Sequence, residues 1–266
     1  MHKQKTKGSF IQTSVKNTET SSQALEKNII CKEKQNSLID SSQDDSIQIE
    51  CFFNSPVSFG QIKEMLIKIY KKSLKFLKKL EAAIQRRYGR FKMKANGFLS
   101  GNNLTILGNI YLQKGQNAVG KIGNNCVIKS GRGLNPLSRN IKSQICIEDN
   151  ATLIIGDNCG FSSVSLWAHF SITIGDHVNI GADTLIFDSD CHSLSHIDRR
   201  NIERDSEKKI NKCIVIENDV LIGTRCIILK GVRIGARSII GSGSVVVSDI
   251  PSDCIAAGAP ARVKKK

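Results

Sequence analysis

From residue 216 to residue 246 an aliphatic side chain returns every six positions: Ile216, Ile222, Ile228, Ile234, Ile240, Val246. Six fits neither the 3.6-residue turn of a helix nor the two-residue alternation of a half-buried strand. Four residues after each of the first five stands a small or modest side chain: Val220, Cys226, Val232, Ser238 and Ser244. Earlier copies read Ile174, Ile180, Ile186, then Ile155-Gly156-Asp157-Asn158-Cys159, and Ile122-Gly123-Asn124-Asn125-Cys126. Such fixed-period self-similarity is the mark of a parallel β-helix. Three six-residue strands bent at corners form a coil of about 18 residues, and coils stack at strand spacing, roughly 4.8 Å. The aliphatic points into a narrow prism, and the residue four later points inward near a corner where only a small side chain fits. Gly, Asn and Asp suit the corner dihedrals. Cys126, Cys159 and Cys226 hold the small position, as core filler rather than as redox or nucleophilic groups.

The rest of the chain divides by composition. Residues 1–56 carry seven Lys against seven acids, with apolar residues too scattered to form a face, and are read as a disordered polar tail. Residues 57–94 carry nine Lys and three Arg against Glu64 and Glu81, a net +10 of the whole chain's +15. Within them Ile62, Leu66, Ile69, Ser73, Leu77, Leu80 and Ile84 recur at steps of three or four, which predicts a basic amphipathic helix over 57–87. Gly89 and the Asn96-Gly97 pair are expected to close that segment. Two roles stay open for the helix. It lies on an anionic membrane surface, or Ile62, Leu66, Ile69, Leu77 and Leu80 pack on the solenoid or pair within an oligomer. Residues 95–266 form the solenoid domain, whose last part, from Ser248, leaves the repeat and covers its end or side.

Charge confined to one segment argues against a nucleic-acid binder. No run reaches about 18 apolar residues, and the polar Met1–Phe10 stretch lacks an apolar signal core. Nine cysteines, none in a metal-ligand spacing, fit a reduced cytoplasmic protein without a bound metal.

The repeat breaks between Ile186 and Ile216. His192 holds the next six-step position, where an inward aliphatic is due, and residues 193–212 are almost entirely polar. A loop over about 192–213 is expected to project there, and long loops on rigid scaffolds commonly carry function. His192 with Asp190 two residues earlier has the makings of a general base and its orienting carboxylate, if the strand is extended and the two share a face. The same histidine can equally be read as capping a coil.

These residues resemble a known family. DSDCHSL at 188–194, IVIENDVLIG at 214–223, ILKGVRIG at 228–235, IIGSGSVVVSDIP at 239–251 and AGAPARV at 257–263 are similar to motifs of the hexapeptide-repeat acyltransferases. The form DxDxHSL at 188–194, with GRGLNP at 131–136 upstream, looks more like the capsule, O-antigen and exopolysaccharide O-acetyltransferases than the enzymes of free sugars, such as the maltose and galactoside acetyltransferases. The resemblance covers roughly residues 95–266. It implies an all-β fold, a left-handed parallel β-helix, and transfer of acetyl from acetyl-CoA to a hydroxyl of a sugar or lipid-linked glycan. His192 would be the base, in a homotrimer whose cofactor lies between subunits. Gly223 and Thr224 would line the pantetheine channel, and Ser242 would offer backbone groups to it. Val247 and Ser248 stand where a Thr-Lys pair commonly contacts the cofactor, and Arg262 and Lys265 would meet the nucleotide phosphates. Leu221 and Ser248 depart from the family's usual Trp and Lys. The location implied is the cytoplasm, with peripheral placement at the inner membrane face if the basic helix binds lipid.

Two other classes compete. A metal lyase of the γ-carbonic-anhydrase type needs three converging histidines, but His169 and His177 precede His192 by separations that are not whole coils. A non-catalytic scaffold would have no use for the His-bearing break. Cys191 adjoins His192 and invites a covalent route, although neighbours in extended backbone point to opposite faces. Trp167, Arg132, Arg139, Arg199 and Arg200 are candidates for an acceptor site or for purely structural roles.

Overall fold

The computed structural model describes residues 59–131 and 133–265. The tail 1–56 and Arg132 lie outside the described residues. Contacts divide the chain into Met1–Leu66 and Ile67–Lys266. Of the first unit, only the opening turns of helix α1 (Phe59–Ala95) are described.

The second unit is the left-handed parallel β-helix that the resemblance implies. Face one stacks β1 (Leu99–Ser100), β4 (Val119–Ile122), β7 (Thr152–Ile155), β10 (Ser171–Ile174), β13 (Ile214–Ile216) and β16 (Arg233–Ile234). Face two stacks β2 (Thr105–Gly108), β5 (Val127–Ser130), β8 (Gly160–Ser162), β11 (Asn179–Ile180), β14 (Leu221–Ile222), β17 (Ile239–Ile240) and β19 (Ile255–Ala257), followed by β20 (Arg262–Lys265). Face three stacks β3 (Tyr111–Lys114), β6 (Gln144–Ile147), β9 (Ser165–Ala168), β12 (Leu185–Phe187), β15 (Ile227–Ile228) and β18 (Val245–Val246). Every pairing is parallel except β19 with β20.

The six-step aliphatics are the core. Ile216, Ile222, Ile228, Ile234, Ile240 and Val246 are each at most 1% exposed, and full burial of such a side chain contributes about 1.5–3 kcal/mol. The small residues four later, Val220, Cys226, Val232, Ser238 and Ser244, are equally buried. The repeat runs further than the sequence reading placed it: Ile250, Cys254 and Ala256 still point inward, and only β20 turns back along face two.

The corner between faces one and two holds the coils in register. Asp157 Oδ1 accepts from the Asn124 N–H at 2.7 Å, Asp176 Oδ1 from the Asp157 N–H at 2.7 Å, and Asn218 Oδ1 from the Asp176 N–H at 2.9 Å. The next residue in each coil takes positive φ (Asn125, Asn158, His177, Asp219), and its N–H bonds back to the adjacent coil, as His177 does to the Asp157 carbonyl at 2.8 Å. The residue before each Asx has to be glycine in three coils. A Cβ on Gly123, Gly156 or Gly175 would overlap Oδ1 of Asp157, Asp176 or Asn218.

Helix α1 runs through Gly89, which was expected to end it. Gly89 is there for packing: a Cβ would fall 2.6 Å from that of Ile106. Met93, fully buried, and Gln85, accepting from the Gly108 N–H at 2.8 Å, seat the same face on the first coils. The helix ends at Asn96-Gly97, Gly97 at φ 72°. Ile69, Leu77 and Leu80 are exposed and do not pack on the solenoid.

Gly175→Ala is expected to lower unfolding stability by about 1–3 kcal/mol, the usual cost of overpacking a closed contact. Chemical denaturation checks it; an unchanged midpoint would mean the corner is looser than its geometry.

Candidate active site

Two excursions leave the prism at different corners. Residues 133–143 lie off the prism between faces two and three, and residues 189–213 between faces three and one. The second begins on Asp188, a fully buried carboxylate that accepts from the backbone N–H groups of His169 (2.6 Å), Phe170 (2.9 Å) and Ser171 (2.6 Å). Its strands close like a zipper: Asp190 N–H donates to the Ile210 carbonyl, Lys212 N–H to the Asp188 carbonyl, and Ser189 bridges Asn211. The segment read as plain loop contains a 3₁₀ turn (Asp198–Arg200) and helix α2 (Ile202–Lys208), capped by Asn201, whose side chain accepts from the Arg204 N–H at 3.0 Å.

His192 does not enter the core. Its side chain is 70% exposed, and its Nδ1 lies 2.6 Å from Asp205 Oδ2 on α2. The other oxygen of Asp205 accepts from the Ser193 N–H at 2.7 Å. Arg199 donates to the Ser193 carbonyl at 2.7 Å. The hydrogen bond from His192, then that from Ser193, holds the Asp205 carboxyl below its ordinary range.

Asp190 is not the orienting carboxylate. It pairs with Lys230 Nζ at 3.0 Å, from the next coil. The reason is Cys191, whose φ of 63° turns the chain out of the extended backbone the two-residue spacing required. Cys191 is half-buried with its thiol directed at the Ser189 carbonyl, whereas His192 stands exposed. Burial pushes the Cys191 thiol up, away from the thiolate a nucleophile needs.

Under the loop root, Trp167 Nε1 donates to Glu148 at 2.7 Å, and its ring lies 4.6 Å from that of His169. Lys209 Nζ is 3.4 Å from His169 Nδ1; burial first, then this cation, lowers the His169 pKa. Among the described residues no three His, Cys, Asp or Glu side chains form a metal-binding group.

The resemblance-derived cofactor residues fall at three places. Gly223, Thr224 and Ser242 share the corner between faces two and three, where Thr224 N–H donates to Ser242 Oγ at 3.1 Å. Gly223 is seated so closely on Ser242 that a Cβ would meet its N and Oγ. An open groove of about 400 Å³ on the outside of face two, lined by Lys129, Phe161, Ser162, Asn179, Gly181 and Leu221, leads to this corner. Val247 and Ser248 lie exposed one corner on, after β18, and Arg262 and Lys265 on the exposed β20. The first excursion is tied to the same corner: Asp183, buried, accepts from Ser138 Oγ at 2.9 Å and from Arg139 N at 2.8 Å and Nε at 3.0 Å. Burial is the strongest single influence on Asp183 and opposes its charge, yet these hydrogen bonds together keep the carboxyl below its ordinary range.

Sequence reasoning missed Asp205, Ser193 and Lys230. A cue existed for the first: Asn201 caps a short turn that places Asp205 four residues later, although nothing in the spacing says that this turn folds back on His192.

Strands stacked on three faces at a six-residue period describe a parallel β-helix, and His192 with its Asp205 partner stands on its second excursion. Residues 213–248 match the family described as bacterial transferase hexapeptide (six repeats). The chain is 34% identical over 146 residues to a galactoside O-acetyltransferase of Lactococcus lactis subsp. lactis (strain IL1403), covering 55% of this chain and 62% of the relative. It is 42% identical over 94 residues to the galactoside O-acetyltransferase of Escherichia coli (strain K12), covering 35% and 43%. The chain thus spans less than two thirds of the curated relatives it matches. A hexapeptide-repeat acetyltransferase from Vibrio cholerae O1 biovar eltor, complexed with acetyl coenzyme A, aligns with a TM-score of 0.42 at 28% identity, over 71% of this chain and 83% of that one.

Because its folded-state pKa is depressed, the Asp205 carboxylate supports the His192–Ser193 clamp above the unfolded value of about 3.9, and that support is lost as pH falls through the folded value. The protection factor of the Ser193 amide, its exchange rate relative to the intrinsic rate at the same pH, is expected to hold at about pH 5 and to be lost only below the ordinary carboxylate value of about 3.9. Loss of protection already near neutral pH would show that Asp205 does not hold the amide.

Proposed function

We propose that the chain is an O-acetyltransferase that moves acetyl directly from acetyl-CoA to a hydroxyl of a sugar or glycan, with His192 as general base. The observation that carries the reading is the His192–Asp205 pair. An aspartate accepting from Nδ1–H selects the tautomer that leaves Nε2 with a lone pair, on a ring that stands exposed at the loop. Nε2 would take the hydroxyl proton as the oxygen attacks the thioester carbon. The C–O bond forms, the C–S bond breaks, and the proton passes on to the departing sulfur, releasing CoA as the thiol. Backbone N–H groups would hold the oxyanion.

Gly223, Thr224 and Ser242 are the proposed pantetheine contacts, with Val247, Ser248, Arg262 and Lys265 toward the nucleotide end. His192 and the Gly223 corner belong to different edges of one prism, so a neighbouring copy is what would bring the histidine of one against the corner of another. This supports the homotrimer. Cytoplasmic placement, where acetyl-CoA is available, belongs to the same proposal. Among the described residues no helix is long and apolar enough to cross a membrane.

The test is thiol release from acetyl-CoA across sugars, lipid-linked and nucleotide-linked glycans and amino sugars. His192→Ala is expected to lower kcat by about 10²–10⁴-fold with acetyl-CoA affinity kept. Asp205→Ala should lower kcat by a smaller factor, Asp190→Ala less still, and Cys191→Ala should stay near wild type. His196→Ala should fall between the His192 and Cys191 variants. Near-normal turnover in a folded His192→Ala protein would remove the base; no thermal stabilisation by millimolar acetyl-CoA would favour the scaffold.

A further inference from the structure

The apolar side of α1 faces away from everything else in its unit. At 100° per residue, Ile69, Phe76, Leu77, Leu80, Ile84, Tyr88 and Phe91 fall within an arc of about 120°. They are 48–69% exposed. Gly89 and Met93, the two buried residues of the helix, fall on the opposite side and are held there by Ile106 and the first coil. Lys92 Nζ bonds the Asn109 side chain at 3.1 Å and strengthens that seat. The solenoid therefore fixes one face of the helix and leaves the apolar one outward.

The charge pattern selects what covers it. Lys68, Lys72, Lys79, Arg86 and Arg90 line one border of the apolar arc, and Arg87 lies within it. Glu64 and Glu81 are the only acids of the helix. A second copy laid on this face would bring one strongly cationic helix against another with almost no acid to pair with. An anionic surface matches the cations on the border, the aliphatic arc beneath them, and the aromatic Phe76, Tyr88 and Phe91 at interface depth. We propose that α1 docks this protein on an anionic lipid surface, lying in the headgroup plane with Ile69, Phe76, Leu77, Leu80, Ile84, Tyr88 and Phe91 inserted. The proposal does not depend on acyl transfer: it stands or falls on lipid binding alone.

Flotation of the full chain with vesicles tests it, using mixed phosphatidylglycerol–phosphatidylcholine against phosphatidylcholine alone. Most of the protein is expected to float with the anionic vesicles at low salt. At least tenfold less should float with neutral ones, and flotation should fall steeply at about 0.5 M salt, where the Debye length is only a few ångströms. The double variant Phe76→Glu/Leu80→Glu changes two exposed positions. It should lose flotation while keeping the wild-type circular dichroism and elution volume. Lys72→Glu/Lys79→Glu should weaken binding to anionic vesicles in the same way. Failure of the full chain to float at low salt overturns the proposal, as does flotation indifferent to Phe76→Glu/Leu80→Glu. A shift of that variant to a smaller species would reassign the face to a contact between copies.

Discussion

The fold depends on the distance of closest approach between successive coils at one corner. Where Gly123, Gly156 and Gly175 pass under Asp157, Asp176 and Asn218, the Asx oxygen occupies the volume of a β-carbon, and this lets it accept an N–H from the coil beside it. The following residue then takes left-handed dihedrals and bonds the same neighbour again. Two hydrogen bonds per coil, both nearly fixed in direction, set the register. The buried aliphatics supply most of the stabilisation but would tolerate sliding along the prism; the corner does not.

A scaffold pinned this way can carry long excursions without loosening. Asp188 shows how the change is made. Its carboxylate gathers three backbone N–H groups of the coil beneath it, so the chain can leave the prism at Ser189 with the corner closed behind it. Asp183 does the reverse, reaching out from a corner to hold Ser138 and Arg139 of the first excursion. Asp183 keeps its charge because hydrogen bonds to fixed donors offset desolvation.

The prism was legible because one period governs it: inward position, small corner position and Asx corner all repeat, so each coil confirms the last. What escaped the sequence were contacts made once. Gly89 reads as a helix breaker until Ile106 is seen pressing on it. Asp190 reads as the partner of His192 until the positive φ of Cys191 is known, and cysteine carries no signal for that conformation. Asp205, thirteen residues on in the chain, meets His192 only because a capped turn folds back. In each case a long-range contact overrode a sound local reading.

A stack of identical layers has no intrinsic reason to stop, since its last coil presents the same unpaired strands to the next molecule as to the next repeat. Here each end of face two is finished differently. β20 reverses direction and pairs antiparallel with β19, occupying the backbone groups a foreign parallel strand would need. At the other end, Gly89 seats α1 on Ile106 of β2, and Met93 is buried one turn further along the helix. A foreign parallel strand therefore finds face two closed at both of its ends, by a reversed strand at one and a helix at the other.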